Sequence, residues 1–587
     1  MDSQTPEFAR ARKLLDGLPW FQGLPDEARD LLAEGCSWMS LPGGQVLFYE
    51  GETADAVYLI AQGSLGAFRR RDGEIQSIGE MFAGESVGEL GVLTARPRVA
   101  TVRALRDSLL LRLPGSHLDM LAERFPQALL GLARLALKRS SEGGARRYDT
   151  APRTIALLPQ CAGVPLRDFA SELLMRLAKF GRVRLLTSSD ADRPPDWFEE
   201  QEREARFVLY LADQESGPWR ERCRRQADAW LLLARADETP AAFSEVLQPV
   251  PHPDAPRPEH LVLLHSAKPR LGAGKRWLKS RPHARLHHVR GEPDVGRIGR
   301  LLCHQGLGLV LSGGGARGFA HLGVIKALRE AEFEIDAVGG TSMGAVIGAG
   351  LAADWSTEEM IEVFRQAFYD TNPLSDWTLP VISLVSGRKQ SRLLQDTFGS
   401  RDIEDLVLPY FCVSANLTTG AAAVHRTGPL WYWLRASTAI PGIVPPLMHH
   451  GEVFVDGGVI NNLPVDVMRE MHRGEIIAVD IGSDYRLKSK FDESELPPIW
   501  QLAAEWFGPS HRPSLRQVLL RAGMVNSGTA ALQAREISSL LLTPPLDDID
   551  LTEWKSYFRA IDRGYQYTLR MIGGEKDVLS QEPPTLW

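Results

Sequence analysis

The feature that most constrains this chain is Gly340-Thr341-Ser342-Met343-Gly344, set between the strand-like run IDAVG and the small-residue run AVIGAGLAA. A strand that passes directly into a helix must turn sharply there. Such a turn strains the backbone and brings a neighbouring segment close, which leaves no room for a Cβ at Gly340 or Gly344. A helix N-terminus beneath Ser342 favours developing negative charge. Alone, the pentapeptide fits equally a serine that merely caps a helix, so its surroundings decide.

Those surroundings alternate strand and helix patterns. GLVLS, IDAVGGTS, YFCVSA, EVFVDGG and EIIAVDI are strand candidates around the serine. Upstream, TIALLP, VRLLTS, RFVLYLA, AWLLLA and HLVLLH alternate with helical stretches such as DFASELLMRLAKF, the pattern of a parallel sheet with crossover helices. The first 140 residues differ: short apolar runs such as AVYLIAQGSLGAF and SLLLRL between glycine turns predict a small β-barrel flanked by helices. A Gly/Ser-rich, charged segment from Ser140 to Arg153 is read as a linker, and the proline-rich stretch Pro249 to Pro258 as a rigid surface loop. The expected organisation is multidomain: 1–140, 154–300 as an intermediate α/β domain, and 306–587 as a three-layer α/β/α domain with a C-terminal helical extension.

At 587 residues, 44% hydrophobic and 24% charged, the chain is ordinary globular material. A net charge of −7 gives no global pull toward nucleic acid, and no nucleic-acid partner is expected. The five cysteines, Cys36, Cys161, Cys223, Cys303 and Cys412, are scattered, with no metal-ligand spacing. They suit a reducing compartment, and neither a metal nor any other cofactor is expected to be required. The N-terminus has no apolar signal-like core, and no stretch reaches the roughly 18 apolar residues of a spanning helix. The expectation is a cytoplasmic protein, soluble or peripheral on the inner membrane surface.

Two further elements frame Ser342. Gly313-Gly314-Gly315-Ala316-Arg317-Gly318 follows a strand pattern and precedes a helical one, so it can aim bare backbone N–H groups at an anion. It reads either as an oxyanion hole or as a dinucleotide cradle with Asp336 as the ribose acid, and the neighbouring serine favours the first. Asp456-Gly457-Gly458 ends another strand pattern, where a carboxylate can sit in a crevice; the bland alternative is an Asp-Gly turn. Together the three elements are the set an acyl hydrolase needs, with Ser342 as nucleophile and Asp456 as its base. A triad would draw on His472 or His511, the histidines after Asp456.

In that order the elements resemble the patatin-like phospholipases, whose pattern is G-G-G-x-[RK]-G, G-x-S-x-G and D-G-[GA]. The resemblance implies a Ser342–Asp456 dyad, an oxyanion hole at Gly313 to Gly315, and support from Arg317, Gly318, Gly340, Gly344, Gly457 and Gly458. From about Thr154 to Tyr567 the chain is similar to the neuropathy target esterase branch, through VLYLADQESGPWRERCRRQAD, LVLSGGGARG, VGGTSMGA, FVDGGVINNLPVDV and DRGYQY. That implies a lysophospholipid or phospholipid substrate. It departs where animal and fungal members carry an N-terminal membrane helix and several cyclic-nucleotide-like domains, of which one is read here.

That one rests on Val87-Gly88-Glu89-Leu90-Gly91 and Arg96-Pro97-Arg98-Val99-Ala100-Thr101, which resemble the phosphate-binding cassette of cyclic-nucleotide-binding domains. The resemblance implies Glu89 for the ribose hydroxyl, Arg98 for the cyclic phosphate and N–H groups of Gly88 and Ala100 assisting. Val99 favours cAMP over cGMP as a regulator. The alternative is a simple Glu89–Arg98 ion pair. An acyl substrate also needs apolar cover, for which Leu379–Leu384, Trp431–Trp433 and Ile440–Leu447 are candidates beside ordinary core packing; the basic run Lys268–Arg290 fits anionic headgroups or a solvated face. Peripheral membrane contact follows from this reading. The competing functions are a nucleotide-sensing adaptor with decayed esterase activity and a hydrolase of soluble esters or thioesters. Headgroup and chain preference and oligomeric state are not legible.

Overall fold

The computed structural model describes residues 5–18, 21, 24–71, 74–125, 151–240, 258–266, 270–472, 474–482, 518, 534 and 536–575. Most of the Ser140–Arg153 linker, nearly all of the Pro249–Pro258 loop and His511 lie outside them. The chain divides into two compact units, Met1–Val262 with Pro282–Arg285, and Leu263–Arg281 with Leu286–Trp587. Helix Glu292–Leu302 groups with the C-terminal unit, where its Arg300 forks onto the buried Asp336 at 2.7–3.1 Å.

In the first unit, two four-stranded sheets form the expected β-barrel. One runs Ser37–Leu41, Ser108–Pro114, Ala56–Gln62, Ser86–Val87; the other Val46–Phe48, Thr101–Ala104, Ser64–Arg71, Glu74–Phe82. The AVYLI run is continuous in hydrophobicity because both its faces are buried. Ala56, Tyr58 and Ile60 enter the barrel with Leu65 and Val102, while Val57 and Leu59 pack outward with Leu15 and Leu32 of helices Pro6–Gly17 and Asp26–Gly35. Each of the leucine, isoleucine and valine side chains contributes about 1.5–3 kcal/mol on full burial. The following α/β region holds a six-stranded sheet ordered Val183–Leu186, Phe207–Leu211, Thr154–Pro159, Ala229–Arg235, Glu259–Leu264, Arg285–Val289. Its first four strands are parallel.

The last strand corrects the reading of Lys268–Arg290 as one basic surface run. Part of it folds as helix Ala273–Leu278 and strand Arg285–Val289, and His287 and His288 are buried. Consecutive strand residues point to opposite sides of the sheet, so both rings are buried only because both faces are covered there, which a count of basic residues cannot show.

The second unit is built on an eight-stranded mixed sheet ordered Leu447–His449, Glu452–Asp456, Tyr410–Asn416, Ile335–Thr341, Leu307–Leu311, Glu475–Val479, Leu540–Leu542, with Ala421–His425 also paired to Tyr410–Asn416. The five central strand patterns seen in sequence are all strands. The three additional strands lie at the periphery; Ala421–His425 and Leu447–His449 are partly exposed, while Leu540–Leu542 is apolar with both end leucines buried. Both sheet faces are covered: Leu309, Leu311, Val338 and Val479 pack on one side, Val310, Ala337, Phe411 and Ala478 on the other. This is the α/β/α layering that a near-continuous apolar strand demands. Helix Met343–Ala352 is buried at every residue and carries no amphipathic stripe.

Candidate active site

Strand Ile335–Thr341 runs in parallel between Leu307–Leu311 and Tyr410–Asn416, so its end delivers Ser342 to the C-terminal edge of the sheet. Ser342 has φ +52° and ψ −124°, a left-handed conformation that costs a non-glycine residue about 1–3 kcal/mol. The turn is held from several directions. Cβ atoms at Gly340 and Gly344 would lie 2.5 and 2.3 Å from the Leu311 carbonyl oxygen, so the helix can start this close to the strand only through glycine. Thr341 Oγ1 donates to the Asn461 carbonyl at 2.8 Å. The Ser342 N–H donates to Ser437 Oγ at 2.9 Å, and Ser437 in turn donates to the Val413 carbonyl at 2.6 Å.

Asp456 ends strand Glu452–Asp456, antiparallel to Tyr410–Asn416, with Asp456 opposite Ser414. This brings the carboxylate across one strand to the serine: Ser342 Oγ donates to Asp456 Oδ2 at 2.7 Å. The other oxygen, Oδ1, accepts the Gly458 N–H at 2.8 Å. Burial raises the Asp456 carboxyl to about 6, against the smaller lowering from Ser342 and Gly458. Near neutral pH it is therefore an ionised base held close to its titration point. Gly457 packs under the strand, where a Cβ would meet the Val413 carbonyl at 2.3 Å.

The glycine turn closes the other side. Its two ends are tied to protein acceptors: Gly313 N–H to the Asn462 carbonyl at 3.3 Å and Ala316 N–H to the Leu551 carbonyl at 2.8 Å. Asn462 Nδ2 also donates to the Gly313 carbonyl at 3.2 Å. Among the described residues the N–H groups of Gly314 and Gly315 take no protein acceptor, and both residues line the cleft. Gly313 shapes the turn instead, because its own N–H is engaged. Gly315 has φ +55°, and a Cβ there would sit 2.1 Å from the Leu551 carbonyl oxygen. Arg317 is buried and its Nε donates to the Ile549 carbonyl at 2.8 Å, anchoring the turn from behind; Gly318 lies against Met343.

Gly313, Gly314, Gly315, Ser342 and Asp456 line a cleft together with Ile440, Pro441, Val459, Asn462 and Leu551. Asn462, Ser437 and Leu551 escaped the sequence reading. Asn462 sits in the VINNLP stretch just after Asp456-Gly457-Gly458, a usable signal; Ser437 and Leu551 have none, since only folding brings them near. Of the apolar candidates, Ile440 and Pro441 line the cleft, whereas Ile443 and Val444 are core. Trp433 is stacked on His425 with centroids 3.9 Å apart, and Trp431 packs on the main core. Leu379, Val381 and Ile382 are not in the cleft wall and are exposed.

Two alternatives from sequence do not survive. His472 packs against Gly308, at the opposite end of the parallel strands; Gly308 pairs with Ala337, five residues before Ser342, or roughly 15 Å along the strand. A triad through His472 is thus geometrically excluded. Asp336 is at that same far end, gripped by Arg300 and accepting the Leu307 N–H at 3.0 Å, so it cannot serve a ribose held at the glycine turn.

The N-terminal cassette has a different character. Gly88, at φ +87°, precedes the short helix Glu89–Thr94, and Glu89 and Ala100 are buried. Arg98 is buried too. Its Nη1 donates to the Gly88 carbonyl at 2.9 Å and its Nη2 to the Ala56 carbonyl at 2.8 Å, with Asp55 Oδ1 at 3.4 Å. The guanidinium lies over the Phe48 ring, 4.1 Å from its centroid.

Comparison with known proteins gives three successive matches along the chain. The patatin-like phospholipase family matches residues 309–469, the neuropathy target esterase family P-loop like domain residues 151–296, and the cyclic nucleotide-binding domain residues 38–125. The chain is 31% identical over 619 residues to patatin-like phospholipase domain-containing protein 6 of Pongo abelii, covering 92% of this chain and 45% of that protein. The human protein of the same name is 31% identical, with 92% and 44% covered. Lysophospholipase nte1 of Neosartorya fischeri is 30% identical, with 90% and 41% covered. The chain spans less than half the length of these relatives.

Proposed function

We propose, from the premise that the chain belongs to the patatin-like phospholipases of the neuropathy target esterase branch, that it hydrolyses the acyl ester of lysophospholipids or phospholipids. The observation that carries the proposal is the 2.7 Å contact of Ser342 Oγ with Asp456 Oδ2 in a cleft lined also by Gly314 and Gly315, whose N–H groups take no protein acceptor among the described residues. Asp456 takes the Ser342 proton as Oγ attacks the ester carbonyl. The oxyanion forms opposite the two glycine amides, which need no reorganisation to receive it. Collapse expels the alcohol, protonated by Asp456, and leaves an acyl-Ser342 ester. Water then attacks this ester, giving its proton to Asp456, and collapse releases the fatty acid as Asp456 returns that proton to Ser342 Oγ. The Ile440–Pro441 wall supplies apolar cover for the acyl chain.

The substrate assignment is supported by the names of the relatives, a lysophospholipase among them. Peripheral contact with a lipid surface follows from that substrate. Among the described residues no helix is long and apolar enough to cross a membrane. A reducing compartment, the cytoplasm, is our assignment from the five buried free cysteines, of which Cys36, Cys223 and Cys412 have thiols pushed up to about 12 by burial. For the N-terminal domain we infer regulation by a cyclic nucleotide, cAMP by the cassette sequence. Binding requires Arg98 to exchange its protein acceptors for phosphate oxygens, and that exchange sets a weak affinity.

The test is fatty-acid release from lysophosphatidylcholine by wild type, Ser342→Ala and Asp456→Asn. Release by wild type and its loss in both variants is the expected result; equal release in all three removes the proposal.

A further inference from the structure

Residues 377–382 are all exposed, and they are apolar at the positions where solvation costs most: Trp377 at 65%, Leu379 and Val381 at 79% and Ile382 at 64%. Four large apolar side chains standing together in water is the pattern of an interaction surface, not of scattered surface residues. The segment is not a loose loop. Trp377 and Val385 form an antiparallel bridge, Thr378 N–H donates to the Leu384 carbonyl at 3.1 Å, and Ser386 N–H to the Asp376 carbonyl at 2.8 Å. It is a closed hairpin with an apolar tip.

Its base is continuous with the cleft. Leu384 and Val385 donate their N–H groups to the carbonyls of Gly442 and Ile443, each at 3.0 Å, and so pair with the segment that begins at Ile440 and Pro441 in the cleft wall. Val385, Ile443 and Leu551 share one small core, with Ile440 and Leu384 against it. The charge arrangement completes the case. No ionisable residue occurs from Trp377 to Gly387. The acid at the hairpin base, Asp376, is turned onto Ser386 Oγ at 2.6 Å and the Lys389 N–H at 3.1 Å, while Arg388 is exposed beside it. Apolar tip, tryptophan and basic residue at the margin is the order of groups that suits a bilayer interface.

We propose that this hairpin is a lipid-docking wedge. It enters the interface of a phospholipid bilayer and holds the Ile440–Pro441 side of the cleft against the lipid from which an acyl chain is drawn. The hairpin base is tied to itself and to the cleft segment through Thr378–Leu384, Ser386–Asp376, Leu384–Gly442 and Val385–Ile443, so the apolar tip is presented on a fixed support. The proposal rests on the lipid-ester reading of the cleft and adds the surface through which that substrate arrives.

The experiment uses the full chain with Leu379→Asp/Val381→Asp, and Leu379→Ile/Val381→Leu as the conservative control. Two readouts are taken: co-sedimentation with phosphatidylcholine vesicles, with and without phosphatidylglycerol, and hydrolysis of a short-chain soluble ester. The expected result is that the acidic double variant loses vesicle partitioning roughly a hundredfold, with vesicle-borne phospholipid hydrolysis falling in parallel. Its kcat/KM on the soluble ester stays at the wild-type value, which also reports that it is folded, and the conservative control behaves as wild type. Equal vesicle binding by wild type and the acidic variant overturns the wedge. So does a wild-type dimer that the acidic variant dissociates while neither protein binds vesicles. If wild type binds vesicles through the hairpin yet cleaves neither substrate, it is the hydrolase reading that fails and the wedge that stands.

Discussion

The Ser342 cleft and the Arg98 cassette are both built from glycines and one or two charged side chains, and both follow a family motif closely. They differ in what their polar groups face. In the cleft, the turn ends are tied to Asn462 and Leu551 while the middle amides, Gly314 and Gly315, keep their hydrogen-bonding capacity for something that enters. In the cassette, the Arg98 guanidinium is already met by Gly88, Ala56 and Asp55 and covered by Phe48. The lesson is that a motif supplies groups, whereas availability depends on whether the surrounding backbone leaves them unpaired. A pre-organised site holds donors where charge will develop; a satisfied one must break bonds first.

The sharpest way to break this contrast is Ser342→Ala. Hydrolysis should fall about 10⁵-fold or more, because the nucleophile and base act as one unit. A residual rate near wild type in a burst-free assay would mean that the cleft is not the reacting centre. Asp456→Asn should cost about 10⁴-fold in kcat. It carries a second signature in stability. The folded Asp456 carboxyl titrates near about 6, above the ordinary value of about 3.9, so the folded state holds the extra proton between them. The stability linked to that proton is complete below about pH 4 and is lost as pH rises through about 6. At pH 8 the buried carboxylate is a liability, and Asp456→Asn should raise stability by about 1–3 kcal/mol in denaturant titration while activity collapses.

The same group fixes the acid limb of wild-type kcat/KM, which should drop as pH falls through about 6. A limb near 4 would place the essential base elsewhere. Ser437→Ala leaves the buried Ser342 N–H without its acceptor, and should lower kcat about 10- to 100-fold with little change in KM, a loss of about 1–3 kcal/mol. Arg98→Ala sharpens the contrast from the other side. It should destabilise the barrel by about 2–4 kcal/mol, since three protein acceptors lose their donor, while soluble-ester kcat/KM changes by less than about twofold. Calorimetry should find cAMP binding to wild type weak; a tight complex would overturn the view that Arg98 is committed to the protein.

Much of the catalytic unit was legible because its strands are buried on both faces and announce themselves as continuous apolar runs. The peripheral strands Ala421–His425 and Leu447–His449 were not, since half-exposed edges carry little hydrophobic signal; Leu540–Leu542 is buried and apolar but only three residues long, too short to show a period. Ser342, Asp456 and the glycine turn stood out because each requires an unusual residue at an unusual backbone position. Ser437 and Leu551 could not, for an acceptor such as a backbone carbonyl can come from any residue. The Lys268–Arg290 run misled for a related reason: composition counts basic residues, but packing on both faces of Arg285–Val289 buries its two histidines.

The order of elements, the strained serine between glycines and the strand-ending aspartate were determined by sequence alone, because local backbone sterics and hydrophobic periodicity act over a few residues. That Ser342 and Asp456, 114 positions apart, share one hydrogen bond was decided by strand order, as was the separation of His472 and Asp336 to the far edge. Whether a donor is free or engaged was likewise settled only in three dimensions, since hydrogen-bond partners distant in the chain meet when long-range packing sets their distance and angle.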